Sequence, residues 1–457
     1  MKIAVVGGGL AGLAAAIELK DVGRHVELFE RSRLLGGRAT SFEVDGHVVD
    51  NGQHVYLACC TEFERFVRRT GMQDALYLQD RFDVVAFSRT GVRSKLRAAN
   101  LPPPQHLFAS FAGYRHLSMR GKLQIGRALI ALKFKPQTAR ENLSFAQWLR
   151  EHGQDADTIR SFWEPFMVPA LNAPLERMNA AEAAFVISTA FLSSNGAARF
   201  GYSKVPLAHI MDRAAERLDA VHRCTAVLAI QADPDRVILR TSDEELHFDA
   251  AVVAVPPRAL AKLLGDYAAL GVPPLDAYEP FAIMDVHVWH DAGPLDFEFA
   301  ALLDSPVQWV FQKAPGYLCC SISAAGELVA KPTSEMVARA WDELRTFLPK
   351  LAGAKLIRGA ATRNPEGTYL AAPGSVRPGP RTALQNLAIA GAWTATGWPD
   401  TMESAVRSGI AAAQTLIGSS DGKASTSSAA LPQAQDDNSG DKLNDETSGD
   451  KLKMTKV

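Results

Sequence analysis

The pattern of apolar positions at the start of the chain predicts a strand, a helix and a second strand. Residues 2–6 (KIAVV) are a short apolar run typical of a buried strand, and glycines follow them directly. Residues 10–23 have the length and apolar content of a helix that ends near Gly23, and residues 25–30 (HVELFE) predict the next strand. Two strands joined by a helix within about 30 residues form a βαβ unit, so an α/β fold is expected.

Further along the chain, helical and strand-like patterns follow one another. Apolar and polar residues alternate over 219–254, which predicts strands, and residues 275–325 are also strand-rich. The runs at 249–257 (DAAVVAVPP) and 387–393 (LAIAGAW) predict buried strands, and two prolines stop the first of them. Helical patterns lie around residues 60–70, 118–134, 144–152, 178–194, 204–218, 333–349 and 401–417.

The composition changes abruptly after residue 417. Serine, aspartate, lysine, asparagine and glycine dominate from Gly418, and the pentapeptide SGDKL occurs at 439–443 and again at 448–452. Such a segment cannot bury enough apolar surface to offset its chain entropy. We therefore expect residues 418–457 to be a disordered tail.

Overall composition excludes several classes of protein. The chain has 457 residues, 47% apolar and 22% charged, which is ordinary for a globular protein of two or three domains. A formal net charge of −1 gives no reason to expect nucleic acid as a partner. The five cysteines include no C-x-x-C pair and no disulfide framework, so we predict no metal site and a reducing compartment. No uninterrupted apolar run reaches the roughly 18 residues that span a bilayer, and no signal peptide is evident, so a cytoplasmic protein is expected.

The glycines after the first predicted strand have the spacing of a dinucleotide-binding turn. In Gly7-x-Gly9-x-x-Gly12, the first glycine permits a tight turn, the second lets the backbone approach a pyrophosphate, and the third lets the helix pack closely on the strand. The pyrophosphate is expected at the start of that helix, at Leu10 and Ala11, where unpaired N–H groups and the helix dipole favour negative charge.

An acidic residue stands at the end of the second predicted strand. Glu30 lies 18 residues after Gly12, and its carboxylate can accept hydrogen bonds from both hydroxyls of an adenosine ribose. The same charge would repel a 2′-phosphate, which disfavours NADP. Together with the glycines, Glu30 predicts that the N-terminal unit holds the ADP half of a dinucleotide cofactor.

Two segments resemble the amine oxidase and carotenoid desaturase superfamily of flavoproteins. Gly36-Gly37-Arg38 resembles the paired-glycine motif of that superfamily, and residues 388–413 (AIAGAWTATGWPDTMESAVRSGIAAA) resemble its closing motif. Arg31, directly after Glu30, is also predicted to bind the cofactor. The resemblance implies FAD as the cofactor, with Arg38 close to the pyrophosphate. It also implies a helix whose N-terminus faces the pyrimidine edge of the flavin, with Met402 in contact.

The closing motif has two further features. Asp400 and Glu403 have the spacing of a capping box, so the helix is expected to begin there. The superfamily usually has an acid after the glycine of this block, where it holds the ribityl hydroxyls, but here Gly391 is followed by Ala392. A methyl group cannot accept that hydrogen bond, and its loss costs about 1–2 kcal/mol unless a backbone N–H or another side chain replaces it.

The resemblance implies a cofactor domain that is discontinuous in sequence. Gly52, Gln53 and Val227 join the glycine motifs as cofactor-binding residues. The expected fold is a Rossmann-type α/β FAD-binding domain with an inserted mixed α+β domain that meets substrate and membrane. The cofactor domain is predicted at 1–56, 200–260 and 385–417, and the inserted domain at 57–199 and 261–384.

Three segments are more specific and resemble the hydroxysqualene dehydroxylase family over about residues 1–417. They are residues 50–56 (DNGQHVY), 162–174 (FWEPFMVPALNAP) and 306–313 (PVQWVFQK). This resemblance implies reductive removal of the hydroxyl group of hydroxysqualene in squalene and hopanoid biosynthesis, giving squalene and water. The hydride would come from N5 of the reduced flavin.

That reaction needs a proton for the leaving hydroxyl, a dry apolar channel and aromatic faces for an allylic cation. Gly52 is expected to let the chain approach the flavin ring. His54 and Tyr56 share one face if the segment alternates like a strand, and they are the candidate proton donors, with His54 favoured by its near-neutral pKa. A histidine that only hydrogen-bonds backbone is the alternative. The candidates for lining the channel, each of which can equally be plain core, are Trp163, Trp309, Trp393 and Trp398.

A basic stretch suggests where the lipid substrate is met. Between Asp83 and Glu141 the chain has no acidic residue and eleven basic ones, interleaved with leucines, isoleucines and phenylalanines. An anionic membrane surface attracts such a segment. We expect residues 84–140 to lie on the inner face of a membrane, and an ordinary solvated basic surface is the alternative.

Other functions stay open from the sequence. A desaturase or isomerase of carotenoids or other polyprenoids would use the same cofactor with electron flow reversed. A non-catalytic, membrane-associated partner of squalene synthesis would keep the fold without turnover, and Ala392 is its only support. An amine oxidase is disfavoured because no aromatic amine cage is evident. No second dinucleotide motif is present, so the electron donor can be NADH itself or a separate flavin reductase.

Overall fold

The computed structural model describes residues 1–44, 46–139 and 142–420. Within these ranges the strands, numbered β1 to β20 in chain order, are Lys2–Val6, His25–Phe29, Ser41–Val44, His47–Asp50, Val55–Leu57, Leu76–Leu78, Asp83–Phe87, Arg93–Arg97, Phe200–Ser203, Ala220–His222, Ala229–Ala232, Val237–Arg240, Glu245–Phe248, Ala250–Val253, Tyr278–His290, Phe299–Leu302, Trp309–Ala314, Tyr317–Ile322, Leu356–Ala371 and Leu387–Ile389.

The α-helices of the same described ranges are numbered α1 to α12. They are Leu10–Asp21, Thr61–Arg69, Phe108–Ala112, Met119–Phe134, Phe145–Glu151, Ala156–Thr158, Glu164–Leu171, Ala180–Ile187, Leu207–Ala215, Pro257–Leu264, Thr333–Phe347 and Met402–Ser420. Short 3₁₀ turns lie at Gln73–Ala75, Gln105–Leu107, Pro136–Thr138, Gly326–Ala330 and Pro349–Leu351, and π-helical turns at Ile159–Trp163 and Ser188–Leu192. The helices predicted from the apolar pattern are thus confirmed to within a few residues at most ends. The last helix runs past the predicted boundary at 418, and positions 421–457 of the predicted tail lie outside the described residues.

A parallel sheet forms the predicted dinucleotide-binding unit. In the described part of the chain, five parallel strands are ordered β10-β2-β1-β14-β20, which confirms the predicted N-terminal, central and C-terminal buried strands. Helices α1 and α12 pack on one face of this sheet. Gly409 lies where they cross, because a Cβ there would stand 2.1 Å from the carbonyl oxygen of Ala11. The antiparallel strands β11–β13 and helix α10 cover the other face.

A mixed sheet is the centre of the inserted part. Over the described residues its seven strands are ordered β19-β15-β18-β17-β16-β7-β8, and only β16 and β7 pair in parallel. Strands β7 and β8 come from the first inserted segment, whereas the other five come from the second, so the two segments complete one sheet. The sequence pattern does not predict β7, β8 or the long β19. Helix α11 packs on one face of the sheet, and the opposite face carries the site described below.

The helices between 108 and 192 form a separate small core. Its centre includes Phe145, Trp148 and Trp163. No helix in the described ranges is both long enough and apolar enough to cross a membrane. Together, the parallel sheet, the mixed sheet and these helices form the predicted Rossmann-type α/β arrangement with an inserted mixed α+β part.

Candidate active site

The first glycine motif forms a cradle that side chains would destroy. Gly7 has a φ of 107°, and a Cβ on it would lie 2.3 Å from the carbonyl oxygen of Ala254. A Cβ on Gly12 would lie 1.9 Å from the carbonyl oxygen of Gly7. At Gly9, by contrast, the nearest atoms to a Cβ would be 3.9 Å away, so this backbone borders open space.

The start of helix α1 has the free donors that a pyrophosphate needs. No side chain of the described residues caps this helix, and its first turn contains no acid. The first N–H groups of an α-helix have no partner within the helix, which leaves those of Leu10 and Ala11 available to phosphate oxygens. The cradle therefore fits the ADP half of a dinucleotide cofactor.

Glu30, directly after β2, stabilises this turn with hydrogen bonds. One carboxylate oxygen accepts a hydrogen bond from the Gly8 N–H at 2.8 Å, and the other accepts one from the Ser32 N–H at 2.8 Å. A carboxylate has further lone pairs, so Glu30 can still accept from ribose hydroxyls. The neighbouring Arg31 is exposed.

The paired glycines pack directly on the first motif. The Gly36 N–H donates to the carbonyl oxygen of Gly8 at 2.8 Å, and both Gly36 and Gly37 have positive φ angles. The glycine pair therefore belongs to the same cradle.

Val227, from the segment before β11, packs against the core on the other face of the parallel sheet.

Arg38 does not have the free guanidinium expected beside a pyrophosphate. Its two terminal nitrogens donate to the two carboxylate oxygens of Asp400, each at 2.7 Å, and one of them also donates to the carbonyl oxygen of Gly367 at 2.9 Å. Such a bidentate pair is among the stronger contacts in proteins. Arg38 therefore ties the paired-glycine segment to the segment that precedes α12.

The capping box predicted for α12 is wrong. Asp400 accepts from the Tyr369 N–H at 2.6 Å as well as from Arg38, and it does not cap the helix. The Thr401 hydroxyl takes that role, because it accepts from the Ser404 N–H at 3.4 Å. Met402 is the first residue of α12 and is half-buried, at the end of the helix that is expected to face the flavin.

The turn before α12 has no acid in the ribityl position. Ala392 is buried, and its carbonyl oxygen accepts a hydrogen bond from the Ser404 hydroxyl at 2.8 Å. A Cβ on Gly391 would lie 2.2 Å from the indole nitrogen of Trp393. That nitrogen donates to the carbonyl oxygen of Val255 at 3.1 Å, so Trp393 belongs to the core beside the parallel sheet and not to a channel.

A cavity of about 240 Å³ lies between the Gly52–Gln53 segment and the open face of the seven-stranded sheet. Strand β9 and the residues after it close a third side. Gly52 has a φ of 98°, so this close approach depends on glycine. The lining residues are Val48, Val49, Asp50, Gly52, Gln53, Tyr202, Ser203, Lys204, Val205, Pro206, His287, Glu298, Phe299, Phe311, Gln312, Lys313, Tyr317 and Cys319.

One end of the cavity is polar. The Lys313 ammonium donates to the side-chain oxygen of Gln53 at 3.0 Å and lies 4.0 Å from the carboxylate of Asp50. A ring nitrogen of His287 lies 2.8 Å from the Tyr317 hydroxyl. Burial is the largest influence on His287 and lowers its pKa to about 4, so its imidazole is neutral.

Aromatic side chains line the part of the cavity formed by β16 and β17, where Glu298 also lines it. Phe299 and Phe311 are cross-strand partners on β16 and β17, so they share a face of the sheet. The ring of Trp309 lies within 6.2 Å of the rings of Phe200, Phe299 and Phe311, and its nitrogen donates to the carbonyl oxygen of Pro165 at 2.9 Å. Trp309 therefore stands just behind the cavity wall.

The other predicted channel tryptophans lie elsewhere. Trp163 is inside the helical core, where its nitrogen donates to the side chain of Gln154 at 3.0 Å. Trp398 packs beneath the guanidinium of Arg407 and against the ring of Phe185. Neither lines the cavity, so the structure brings only Trp309 of the four to its edge.

Neither predicted proton donor is among the residues that line the cavity, although His54 contacts the lining residue Gly52. A ring nitrogen of His54 lies 2.9 Å from the carbonyl oxygen of Gly52, and burial lowers the pKa of His54. The Tyr56 hydroxyl donates to the carbonyl oxygen of Tyr77 at 3.2 Å, and the ring is packed in the core of the cofactor domain. Burial raises the pKa of Tyr56, which makes its phenol a weaker acid. The local alternation that predicts a shared face for them therefore does not bring them together at the site.

Sequence reasoning missed the polar residues of β15. Asp285 and His287 alternate with Met284, Val286 and Val288 in an otherwise apolar strand. Apolar side chains at every second position pack on α11, which turns the two polar residues to the opposite face. The sequence signal for them is a polar residue in a strand whose apolar pattern otherwise predicts complete burial.

The predicted basic stretch divides into two parts. Arg89, Arg93 and Arg97, on or near β7 and β8, pair with Glu343, Asp296 and Asp83 respectively. In the folded protein, acidic residues therefore lie beside the arginines of the first half of the stretch, although none occurs within its sequence. The second half, which includes α3 and α4, has exposed apolar and basic side chains.

Comparison with known proteins gives the family. The profile described as flavin containing amine oxidoreductase matches residues 10–417. Hydroxysqualene dehydroxylase of Rhodopseudomonas palustris is 29% identical over 432 residues, which cover 90% of this chain and 97% of that protein. Zeta-carotene desaturase of Zea mays is 22% identical and covers 90% of this chain and 82% of that protein.

A solved structure shares the fold. A triple mutant of putrescine oxidase matches with a TM-score of 0.71 at 17% sequence identity, covering 91% of this chain and 98% of that one. The family match begins at residue 10, within the first glycine motif, and spans the paired glycines, the inserted part and the closing helix. The chain therefore belongs to the family of flavin containing amine oxidoreductases, and it is an FAD-dependent oxidoreductase.

Proposed function

We propose that this chain catalyses the FAD-dependent reductive dehydroxylation of hydroxysqualene, or of a similar polyprenoid alcohol, to the corresponding hydrocarbon and water. The observation that carries the proposal is the cavity face of the seven-stranded sheet, which carries aromatic side chains in one part and polar ones in another. A long hydrocarbon with one hydroxyl group matches both parts. The similarity to hydroxysqualene dehydroxylase over 90% of the chain supports the same reaction.

The residues of the chain have separate tasks in this reaction. When bound in its reduced form, FAD would supply the hydride that this reaction needs. Phe299, Phe311 and the nearby Trp309 exclude water, and their ring faces stabilise positive charge on an allylic carbon. Gly52 and Gln53 bring backbone against the polar end, where the hydroxyl group must be protonated before it leaves.

An anaerobic reaction tests the proposal directly. Chemically reduced holoenzyme is mixed with hydroxysqualene in detergent, and flavin absorbance is followed while the lipid is analysed. We expect squalene to form in step with the return of oxidised flavin, with about one product per flavin. Oxidised holoenzyme with the same substrate is the control and should give no squalene. Flavin that stays reduced beside intact hydroxysqualene would contradict the proposal.

A polyprenoid desaturase is the competing function, and the similarity to zeta-carotene desaturase favours it. Such an enzyme removes hydrogen from the hydrocarbon and needs no proton donor for a hydroxyl group. The polar end of the cavity is therefore unexplained by desaturation. Reduction of the flavin by a phytoene-like substrate, with oxidised enzyme, would support the desaturase instead.

We also propose that α4 docks the protein on an anionic membrane surface. Met119, Leu123, Ile130 and Phe134 are each between 59% and 72% exposed, which is unusual for large apolar side chains. At 3.6 residues per turn they fall within about 60° of the helix circumference. The opposite side of the helix is buried in the helical core.

Basic residues flank this apolar stripe. On the same helical projection, Lys122 and Lys133 lie on one side of the stripe and Arg127 on the other. An apolar stripe bordered by lysine and arginine is the arrangement that binds in the interface of an anionic bilayer. The exposed Leu101 and Phe108, in the segment before α4, add to the apolar surface. This position would bring a membrane-dissolved substrate to the enzyme, on the cytoplasmic side of the bilayer.

No second dinucleotide motif is evident in the sequence, and we propose a separate flavin reductase as the electron donor.

A further inference from the structure

Two buried side chains on β15 have polar atoms without a hydrogen-bond partner. Asp285 and His287 are 1% and 2% exposed. Oδ2 of Asp285 and Nε2 of His287 bond to no other described residue. Buried polar atoms in native proteins are rarely left unpaired, so these two atoms point to a polar group that the protein receives from outside.

The Asp285 carboxyl group lies against the backbone that borders the cavity. Its Oδ1 accepts a hydrogen bond from the Gln53 N–H at 3.2 Å, and a Cβ on Gly52 would be 3.1 Å from its Oδ2. The Cys319 thiol lies 3.5 Å from Oδ1. Gly52, Gln53 and Cys319 all line the cavity, and Asp285, which is not itself a lining residue, lies directly behind this part of the wall.

His287 places a hydrogen-bond donor beside Asp285. Its Nδ1 lies 2.8 Å from the Tyr317 hydroxyl, and when that hydroxyl donates to Nδ1 the imidazole proton is on Nε2. Residues two apart on a strand are about 6.8 Å apart and face the same side, so one oxygen atom can lie between their side chains. A substrate hydroxyl oxygen has two lone pairs, so it can accept hydrogen bonds from Nε2–H of His287 and, when Asp285 is protonated, from its carboxyl group as well.

Burial decides which of the two residues can act as an acid. Burial is the largest influence on Asp285 and raises its pKa to about 6, although hydrogen bonds and the Lys313 charge act against it. His287 is neutral, since burial lowers its pKa to about 4. Asp285 is therefore the stronger proton source near neutral pH. The titratable or polar groups that face Asp285 are Gln53 from the loop, Cys319 and Ser321 from β18, Lys313 from β17, Thr362 from β19, and His287 on its own strand.

We infer that Asp285 and His287 receive the hydroxyl group of the substrate and that Asp285 supplies the proton with which it leaves as water. This inference rests on the proposed function and names residues for one step of it. The carbon–oxygen bond breaks with its electron pair going to oxygen, and oxygen takes the proton of Asp285. The carbon receives the hydride already assigned to the reduced cofactor. Solvent then returns a proton to the Asp285 carboxylate.

Binding to the oxidised holoenzyme tests the hydroxyl subsite without turnover. Hydroxysqualene and squalene are titrated in the same detergent while the flavin absorbance is followed. We expect wild-type protein to prefer hydroxysqualene by about tenfold, since a site that pairs a hydroxyl group rejects the analogue that lacks it. His287→Phe should reduce this preference to near one. An equal preference in wild type and His287→Phe would overturn the subsite.

The reductive step tests the proton donor. With reduced wild-type holoenzyme we expect the rate of squalene formation to fall as the pH rises through about 6. Asp285→Asn should bind substrate and flavin but react at least 100-fold more slowly, without this pH dependence. Asp276→Asn, at an exposed position, is the matched control and should behave as wild type.

The outcomes distinguish failure of the proposed function from failure of the roles given to Asp285 and His287. Wild-type protein that forms no squalene at any pH contradicts the proposed function and this inference with it. Wild-type protein that forms squalene while Asp285→Asn keeps both the rate and the pH profile contradicts the inference alone. Flavin content and melting temperature are measured for every variant, and the binding assay with His287→Phe decides the subsite if Asp285→Asn does not fold.

Discussion

At the scale of single residues, two buried carboxyl groups behave differently because their partners differ. Glu403 is 1% exposed and has three donors, two from backbone and one from Arg407. Asp285 is equally buried, but one of its oxygens has no partner among the described residues. Burial raises the pKa of both groups, and only Asp285 has an unpaired oxygen beside a cavity. An unpaired carboxyl at a cavity is typical of a functional group, whereas the satisfied one is typical of a structural group.

The raised pKa of Asp285 predicts a pH-dependent stability. The folded-state pKa of about 6 exceeds the unfolded value, so folding binds a proton. The proton contributes about 2–3 kcal/mol to the free energy of unfolding. This contribution is complete below about pH 4 and is lost as the pH rises through 6. Asparagine is neutral throughout, so the stability of Asp285→Asn relative to wild type should improve by that amount between pH 4 and 8.

Urea denaturation at both pH values measures this change in the free energy of unfolding. Asp276→Asn is again the control, because an exposed carboxyl should show no such trend. The raised pKa would be contradicted by a difference between Asp285→Asn and wild type that is the same at pH 4 and pH 8.

At the scale of elements, the start of α12 joins parts of the chain that are distant in sequence. Arg38 and Asp400 tie the paired-glycine segment to the turn before this helix. Glu403, in its first turn, accepts hydrogen bonds from the N–H groups of Glu62 and Phe63 at 3.2 and 2.8 Å. Those groups are at the start of α2, where no side chain of the helix's own N-cap residue provides a cap. One helix therefore caps another.

Removing this cap should destabilise the protein. Glu403→Ala leaves two N–H groups at the start of α2 without an acceptor and Arg407 without its partner, at a cost of about 2–4 kcal/mol. Glu403→Gln keeps one acceptor oxygen and should lose roughly half as much. The free energy of unfolding in urea compares the two variants with wild type. Equal stability of Glu403→Ala and wild type would show that the cap is not needed.

At the scale of the whole molecule, the exposed stripe of α4 is the surface feature that departs most from an ordinary soluble protein. Among the residues that the structure describes, half of the twelve large exposed apolar side chains lie between Leu101 and Phe134. The combined variant Leu123→Asp, Ile130→Asp should lose binding to vesicles of phosphatidylcholine with about one-third phosphatidylglycerol, because it places charge in the apolar stripe.

Flotation of the holoenzyme with these vesicles measures the binding. Ile357→Asp is a matched control, since Ile357 is also 67% exposed but lies on β19. Wild-type binding should weaken in about 1 M salt, where charge attraction is screened. Retained flotation of the double variant, or equal loss in Ile357→Asp, would contradict docking through α4.

The sequence alone determined the features that depend on neighbours along the chain. The spacing of Gly7, Gly9 and Gly12 and the apolar runs around them predict the βαβ unit, because turn geometry and strand burial are local properties. The resemblance in residues 388–413 likewise identifies the closing motif and hence FAD. The apolar pattern of most helices is equally local, and those predictions are confirmed.

Contacts between residues far apart in sequence depend on how the whole chain folds. Arg38 pairs with Asp400 across 362 positions, and the Gln53 N–H meets Asp285 across 232 positions. Strands β7 and β8 find their sheet partners far along the chain in the same way. Local patterns carry no information on such contacts, since a charged or polar side chain looks alike in sequence whether it faces solvent, a cofactor or a buried partner. The polar end of the cavity is therefore a product of folding, whereas the cofactor cradle is already visible in the sequence.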